Sequence, residues 1–178
     1  MSRKRVVVTG MGMLTPVGNT IDETWSNIIA SKSGVANITH FDTEGFGTHF
    51  SAGVKDFDLS NYLPPKEGKK MDLFIQYGMA AGIQAIKDAN LEVTEENADR
   101  IGVAIGSGIG GLPLIEKCHD ALNKSGPRRI SPFFVPGSII NMISGNLSIM
   151  YGLRGPNIAI TTACTTGTHN IGASARMI

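Results

Sequence analysis

Apolar positions along this chain follow two periods in turn. Val6-Val7-Val8 is continuous and β-branched, the pattern of a strand buried on both faces, and it gives way at Thr9-Gly10. Thr20-Ile21-Asp22-Glu23 has the Thr-x-x-Glu spacing of a capping box. It predicts a helix that carries Trp25, Ile28 and Ile29 inward and stops near Gly34. Residues 35–70 keep no sustained period; a short strand is expected over 48–54, and Pro64-Pro65 breaks any helix. Asp72 can cap a helix running to about Asn90, and Leu73, Phe74, Ile75, Tyr77, Met79, Ile83 and Ile86 make it apolar almost all round. Such a helix is expected to be buried.

Residues 101–105 read as a second buried strand ending in Gly106-Ser107-Gly108-Ile109-Gly110-Gly111. Helices are expected over 113–123 and 138–151, the latter with Ile139, Met142, Ile143, Leu147 and Met150 inward. A third strand follows at 158–160, and a helix rich in Gly and Ala at 164–178. Strands alternating with helices imply an α/β fold with a mostly parallel sheet.

Composition narrows the function classes. The 178 residues carry 16 Lys and Arg against 15 Asp and Glu, a net charge of +1, without the basic excess of a nucleic-acid binder. With 42% hydrophobic residues the chain is no disordered segment, and its length fits one domain with a sizeable core. Glycine, at 22 residues, is well above the usual share, and charged residues, at 17%, well below it. Both point to closely packed elements and extensive burial. The apolar stretch behind the basic N-terminus is too short for a signal core, and no run reaches membrane-spanning length. Cys118 and Cys164 therefore read as two free thiols, and the cytoplasm is the expected compartment.

The most informative stretch is Asn157–Gly172, where a buried strand ends, the chain turns, and a helix begins at Cys164. Unpaired N–H groups and the positive end of the helix dipole favour a thiolate there, and the turn can aim N–H donors at an oxyanion beside the sulfur. The alternative is an ordinary buried cysteine. Gly106-x-Gly108-x-x-Gly111 offers a different reading, a dinucleotide fingerprint, but residues 125–129 lack the acidic partner that it wants. Cys118, among Glu116, Lys117, His119 and Asp120, is expected on a polar helix face.

Several segments in order carry a resemblance: Val6–Gly18, Met71-Asp72 with Phe74–Gly78, Ile105–Gly111, Ile130–Pro136, Met150–Pro156 and Ala163–Gly167. Together they resemble the β-ketoacyl-acyl carrier protein synthases, the condensing enzymes of fatty-acid synthesis. The residues around the cysteine are nearer the type II members than type I. The resemblance implies the N-terminal half of a thiolase-like α/β fold, a homodimer, no cofactor and no metal. It makes Cys164 the nucleophile that accepts the acyl group from acyl carrier protein. Malonyl-carrier protein then loses carbon dioxide, and its carbanion attacks the thioester. Ile109 and Phe134 match residues lining the acyl pocket, with ordinary core as the alternative. Lys66, Lys69 and Lys70 match the basic patch that receives the carrier protein.

Against the family, residues 1–178 read as a truncated synthase domain, ending within the helix that opens at Cys164 and lacking the strands after it. The family's catalytic His pair lies in the second half, and none of His40, His49, His119 or His169 stands in its sequence setting. His169, five residues past the cysteine, is expected to pack or hydrogen-bond rather than act as a base. Alone, the chain is expected to be inactive in elongation. The competing expectation is a non-catalytic half that only dimerises or binds acyl groups.

Overall fold

The computed structural model describes residues 4–178. In chain order the elements are α1 (Ile21–Ile29), β1 (Ala36–Asn37), β2 (Phe50–Ser51), α2 (Pro65–Gly68), α3 (Leu73–Asp88), β3 (Val103–Ala104), α4 (Leu112–Ser125), α5 (Phe134–Ser138), α6 (Met142–Tyr151), β4 (Asn157–Ile158) and α7 (Thr166–Met177). Short antiparallel β1 and β2 pair at the periphery. β3 and β4 pair in parallel, Val103 opposite Asn157 and Ala104 opposite Ile158, with α4, α5 and α6 forming the crossover between them. That is the parallel arrangement the alternating periods predict.

The core forms where α3 meets α6. Ile75, Met79 and Ile83 of α3 are buried against Ile143 and Leu147 of α6, with Leu63 beside them. Gly78 and Gly82, one turn apart, bring the helices into direct contact. A Cβ on Gly78 would lie 2.6 Å from Ile143 Cδ1, and one on Gly82 would overlap the Leu147 side chain. From the same helix, fully buried Ser144 turns toward the strands: its hydroxyl accepts from Ile105 N–H at 3.0 Å and donates to Ile158 C=O at 2.9 Å. One hydroxyl thus ties both strands to the helix layer. The loop into β4 is held by Arg154, whose guanidinium donates to Glu95 and Asp99 at 2.8 and 2.7 Å.

Several elements depart from expectation. Val6-Val7-Val8 forms no strand, and Val8 is 77% exposed: a ladder needs flanking strands, and none lies beside this segment among the described residues. The chain instead crosses α3, where a Cβ on Gly12 would collide with Ala81 C=O and Met11 N–H donates to Asp88 at 2.9 Å. The capping box opens α1 as predicted, Thr20 Oγ1 accepting from Glu23 N–H at 3.2 Å. Trp25, Ile28 and Ile29 nevertheless face outward. α1 docks through a polar residue, buried Thr24, whose hydroxyl bonds Thr15 and Gly18, and it ends at Ile29.

The helix expected over 138–151 starts only at Met142, and a separate short helix precedes it. Ile139 is extended (ψ 142°), so α5 stops at Ser138 and α6 starts at Met142, leaving Ile139 exposed. Asp72 precedes α3, as predicted, but its carboxylate caps α4, accepting from Leu114 N–H at 2.7 Å. Cys118 is buried on the inner face of α4, not on a polar one.

Candidate functional site

The chain leaves β4, passes Ile160, and reverses through a 3₁₀ turn at Ala163–Thr165 before α7 opens at Thr166. The helix therefore starts two residues after Cys164 rather than at the thiol. Ala163 has φ +50°, in the left-handed region that non-glycine residues seldom occupy, and such strain persists only where the surroundings enforce it. Cys164 follows directly and is exposed, as a free thiol. Its N–H makes no backbone hydrogen bond among the described residues, leaving a donor beside the sulfur. Twelve-residue α7 directs its positive end toward the same place.

Buried polar side chains hold the turn. Thr166 Oγ1 accepts from Thr162 N–H at 2.9 Å. Asn170, 4% exposed, bonds both backbone groups of Ile160: Oδ1 accepts from its N–H at 3.2 Å and Nδ2 donates to its C=O at 2.9 Å. The second Nδ2 proton goes to Thr166 C=O at 2.8 Å. His169 Nδ1 lies 2.7 Å from Thr162 Oγ1, the hydrogen-bonding role expected of it. Sequence reading missed Thr166 and Asn170. The available signal was an inverted amphipathic face: Thr166, Asn170 and Ser174 recur every four residues on α7 and turn inward, while Ile171 is exposed.

The glycine-rich loop after β3 abuts this turn. A Cβ on Gly108 would sit 3.5 Å from Ala163 C=O, and one on Gly106 would collide with Ile160 C=O. Ile109, in the same loop, is 78% exposed. Phe134 begins α5, whose last residue, Ser138, accepts from Gly111 N–H at 3.0 Å, a bond that joins the glycine-rich loop to the end of α5. The groove of about 490 Å³ between Lys4, Arg100, Gly102, Pro156 and Ile178 is lined by none of Cys164, Ile109 or Phe134. Lys66 and Lys69 are exposed on and after α2. Lys70 is tied down, donating to both Glu67 oxygens at 2.8–2.9 Å and lying 5.9 Å from the Phe133 ring centre. That hydrogen bond holds the Glu67 carboxyl below its usual range.

The dinucleotide reading fails on the same geometry. A phosphate needs free N–H groups at the N-terminus of α4. Leu112 N–H already donates to Gly110 C=O, Pro113 has none, and Leu114 N–H donates to the Asp72 carboxylate, a charge that repels phosphate. The glycines serve packing instead.

Residues 3–178 match the family described as Beta-ketoacyl synthase, N-terminal domain. The chain belongs to the β-ketoacyl synthase family. Among curated relatives of this family, 3-oxoacyl-[acyl-carrier-protein] synthase 2 of Vibrio cholerae is 67% identical over all 178 residues, and that of Coxiella burnetii 56%. The chain spans 43% of the length of each. Among solved structures, a β-ketoacyl synthase from Burkholderia phymatum matches with a TM-score of 0.81 at 26% identity, over 97% of this chain and 43% of that one. A type II PKS ketosynthase, in complex with its acyl-carrier protein, matches at 0.80 and 28%, over 99% of this chain and 47% of that one. The fold is accordingly thiolase-like, here in the part that corresponds to the synthase N-terminal domain. No helix among the described residues is long and apolar enough to cross a membrane.

Proposed function

We propose that the protein catalyses fatty-acid chain elongation as a type II β-ketoacyl-acyl carrier protein synthase, with Cys164 as nucleophile. The observation that carries this reading is an exposed thiol on a strained strand-to-helix turn, with an unpaired N–H beside it, in a chain 67% identical to such a synthase. The Cys164 thiolate attacks the acyl thioester of the carrier; a Sγ–C bond forms, and the carrier thiolate departs and takes up a proton. The Cys164 N–H stabilises the developing oxyanion. Malonyl-carrier protein then loses carbon dioxide, and the carbanion attacks the acyl carbon, releasing Cys164 and a 3-oxoacyl chain two carbons longer.

Ile109 and Phe134 border the acyl chain, and Lys66, Lys69 and Lys70 receive the acidic carrier. A homodimer in the cytoplasm is the assembly and compartment that go with this reading. The 178-residue segment by itself takes up acyl groups and self-associates without condensing. Exposed Val7, Val8, Trp25, Ile149 and Ile171 support the association.

Intact-mass measurement after mixing with acyl-carrier protein tests the assignment. One acyl group per chain is expected, and none with Cys164→Ser. Acylation of the Cys164→Ser protein would refute the nucleophile; turnover of malonyl-carrier protein by the isolated segment would refute its inactivity.

A further inference from the structure

We propose that Asn170 is the positioning residue of Cys164: its side-chain amide locks the strand end to the helix, so that the turn between them closes in one strained form. This rests on the reading of Cys164 as the nucleophile. The amide presents one acceptor and two donors, and all three are spent on the ends of the turn. It pairs with both the N–H and the C=O of Ile160, as a neighbouring strand would, and its remaining proton reaches Thr166 C=O. Only residues 161–165 lie between those anchors. Within that span the Thr166 hydroxyl fixes Thr162 N–H, and Ala163 is driven to φ +50° immediately before Cys164.

Each neighbouring feature serves the same clamp. Asn170 is buried, so water competes little for its three bonds. Gly106 leaves the room: a Cβ there would meet Ile160 C=O and come within 2.9 Å of Asn170 Nδ2. An alanine held in the left-handed region relaxes once nothing opposes it, and relaxation at Ala163 re-aims both the sulfur and the N–H of Cys164. Asn170 itself faces the strand end and the helix backbone, so it acts on the chemistry through the turn alone.

The test is the single-turnover rate of acyl transfer from acyl-carrier protein to Cys164, read by intact mass, in the protein as its gene encodes it. Asn170→Ala should slow the transfer at saturating carrier by at least about tenfold, with the half-saturating carrier concentration unchanged. Adding Ala163→Gly should recover most of that loss, because glycine occupies φ +50° without strain. Rate constants are taken per folded molecule. Should Asn170→Ala not accumulate, Asn170→Ser, which keeps one donor, is measured with the same Ala163→Gly partner. An undiminished rate in folded Asn170→Ala overturns the proposal. So does a loss that Ala163→Gly leaves in place, since Asn170 would then support the fold at large. Acyl uptake by Cys164→Ser would overturn the nucleophile reading itself, a distinct result.

Discussion

The α3–α6 interface and the Cys164 turn are held by opposite means. Between the helices, Ile75, Met79 and Ile83 meet Ile143 and Leu147 with no hydrogen bond between those side chains. Around the turn, Thr162, Thr166, His169 and Asn170 make directed bonds. Apolar packing is strong but non-directional, so it sets how near two helices lie. It cannot choose one backbone conformation over another that fills the same space. A turn that stores strain at Ala163 needs bonds with a required angle, and burial strengthens those made by Thr166 and Asn170.

Substitution on the apolar side should cost the most stability and leave the chemistry alone. Leu147→Ala opens a cavity against Gly82, and about 2–5 kcal/mol should be lost in urea unfolding. Acyl transfer per folded molecule should stay unchanged. A rate that falls with stability would erase the distinction between the two regions.

Ser144 lies where the two regimes meet. Ser144→Ala strands the N–H of Ile105 and the C=O of Ile158, a cost of about 1–3 kcal/mol. Its signature should be local: hydrogen exchange at the Ile105 amide should accelerate before that of α3. Uniform acceleration would show that the hydroxyl supports the core rather than the strands.

What the sequence made legible divides along the same line. Periodicity located the helix at 73–88, the parallel strands and the strand-turn-helix at the cysteine, because apolar spacing reports which faces are buried. It misjudged Val6-Val7-Val8, Trp25, Ile28 and Ile29, whose apolar character is real but whose covering surface is absent from the described residues. It also missed Thr166, Asn170 and Ser144. A buried polar residue reads as an exposed one until its partner is known, and those partners are backbone groups up to 39 positions away. The capping box was visible because both of its members lie within one turn. Asp72 misled for the converse reason: it looked like a local cap and serves a helix 42 residues on.

Asp72 also gives a milder test of directed bonding. Asp72→Ala removes the charged cap from α4 and should cost about 1 kcal/mol in urea unfolding. Because Gly110 and Gly111 lead straight into that helix, the loop bearing Ile109 should loosen, seen as faster exchange at Gly110 and Gly111. Protection equal to wild type there would detach Asp72 from the loop.

Exposure supplies the limiting case. Glu67 and Lys70 make a bond as short as any that the Asn170 amide makes, yet both are in contact with water. Double substitutions of such pairs usually reveal little net stabilisation. Glu67→Gln should therefore leave Tm unchanged, while releasing Lys70 to join Lys66 and Lys69 and raising affinity for the acidic carrier at low salt. The sign with pH follows from the cause. Lys70 holds the Glu67 carboxyl below its usual range, so whatever the pair contributes is present at neutral pH and is lost only as pH falls through that lowered value. The comparison therefore belongs near neutrality, where wild-type Glu67 is charged and the carrier still is. A clear drop in Tm with Glu67→Gln would mean that a hydrogen bond of this length stabilises without burial, and the contrast with Asn170 would lose its physical basis.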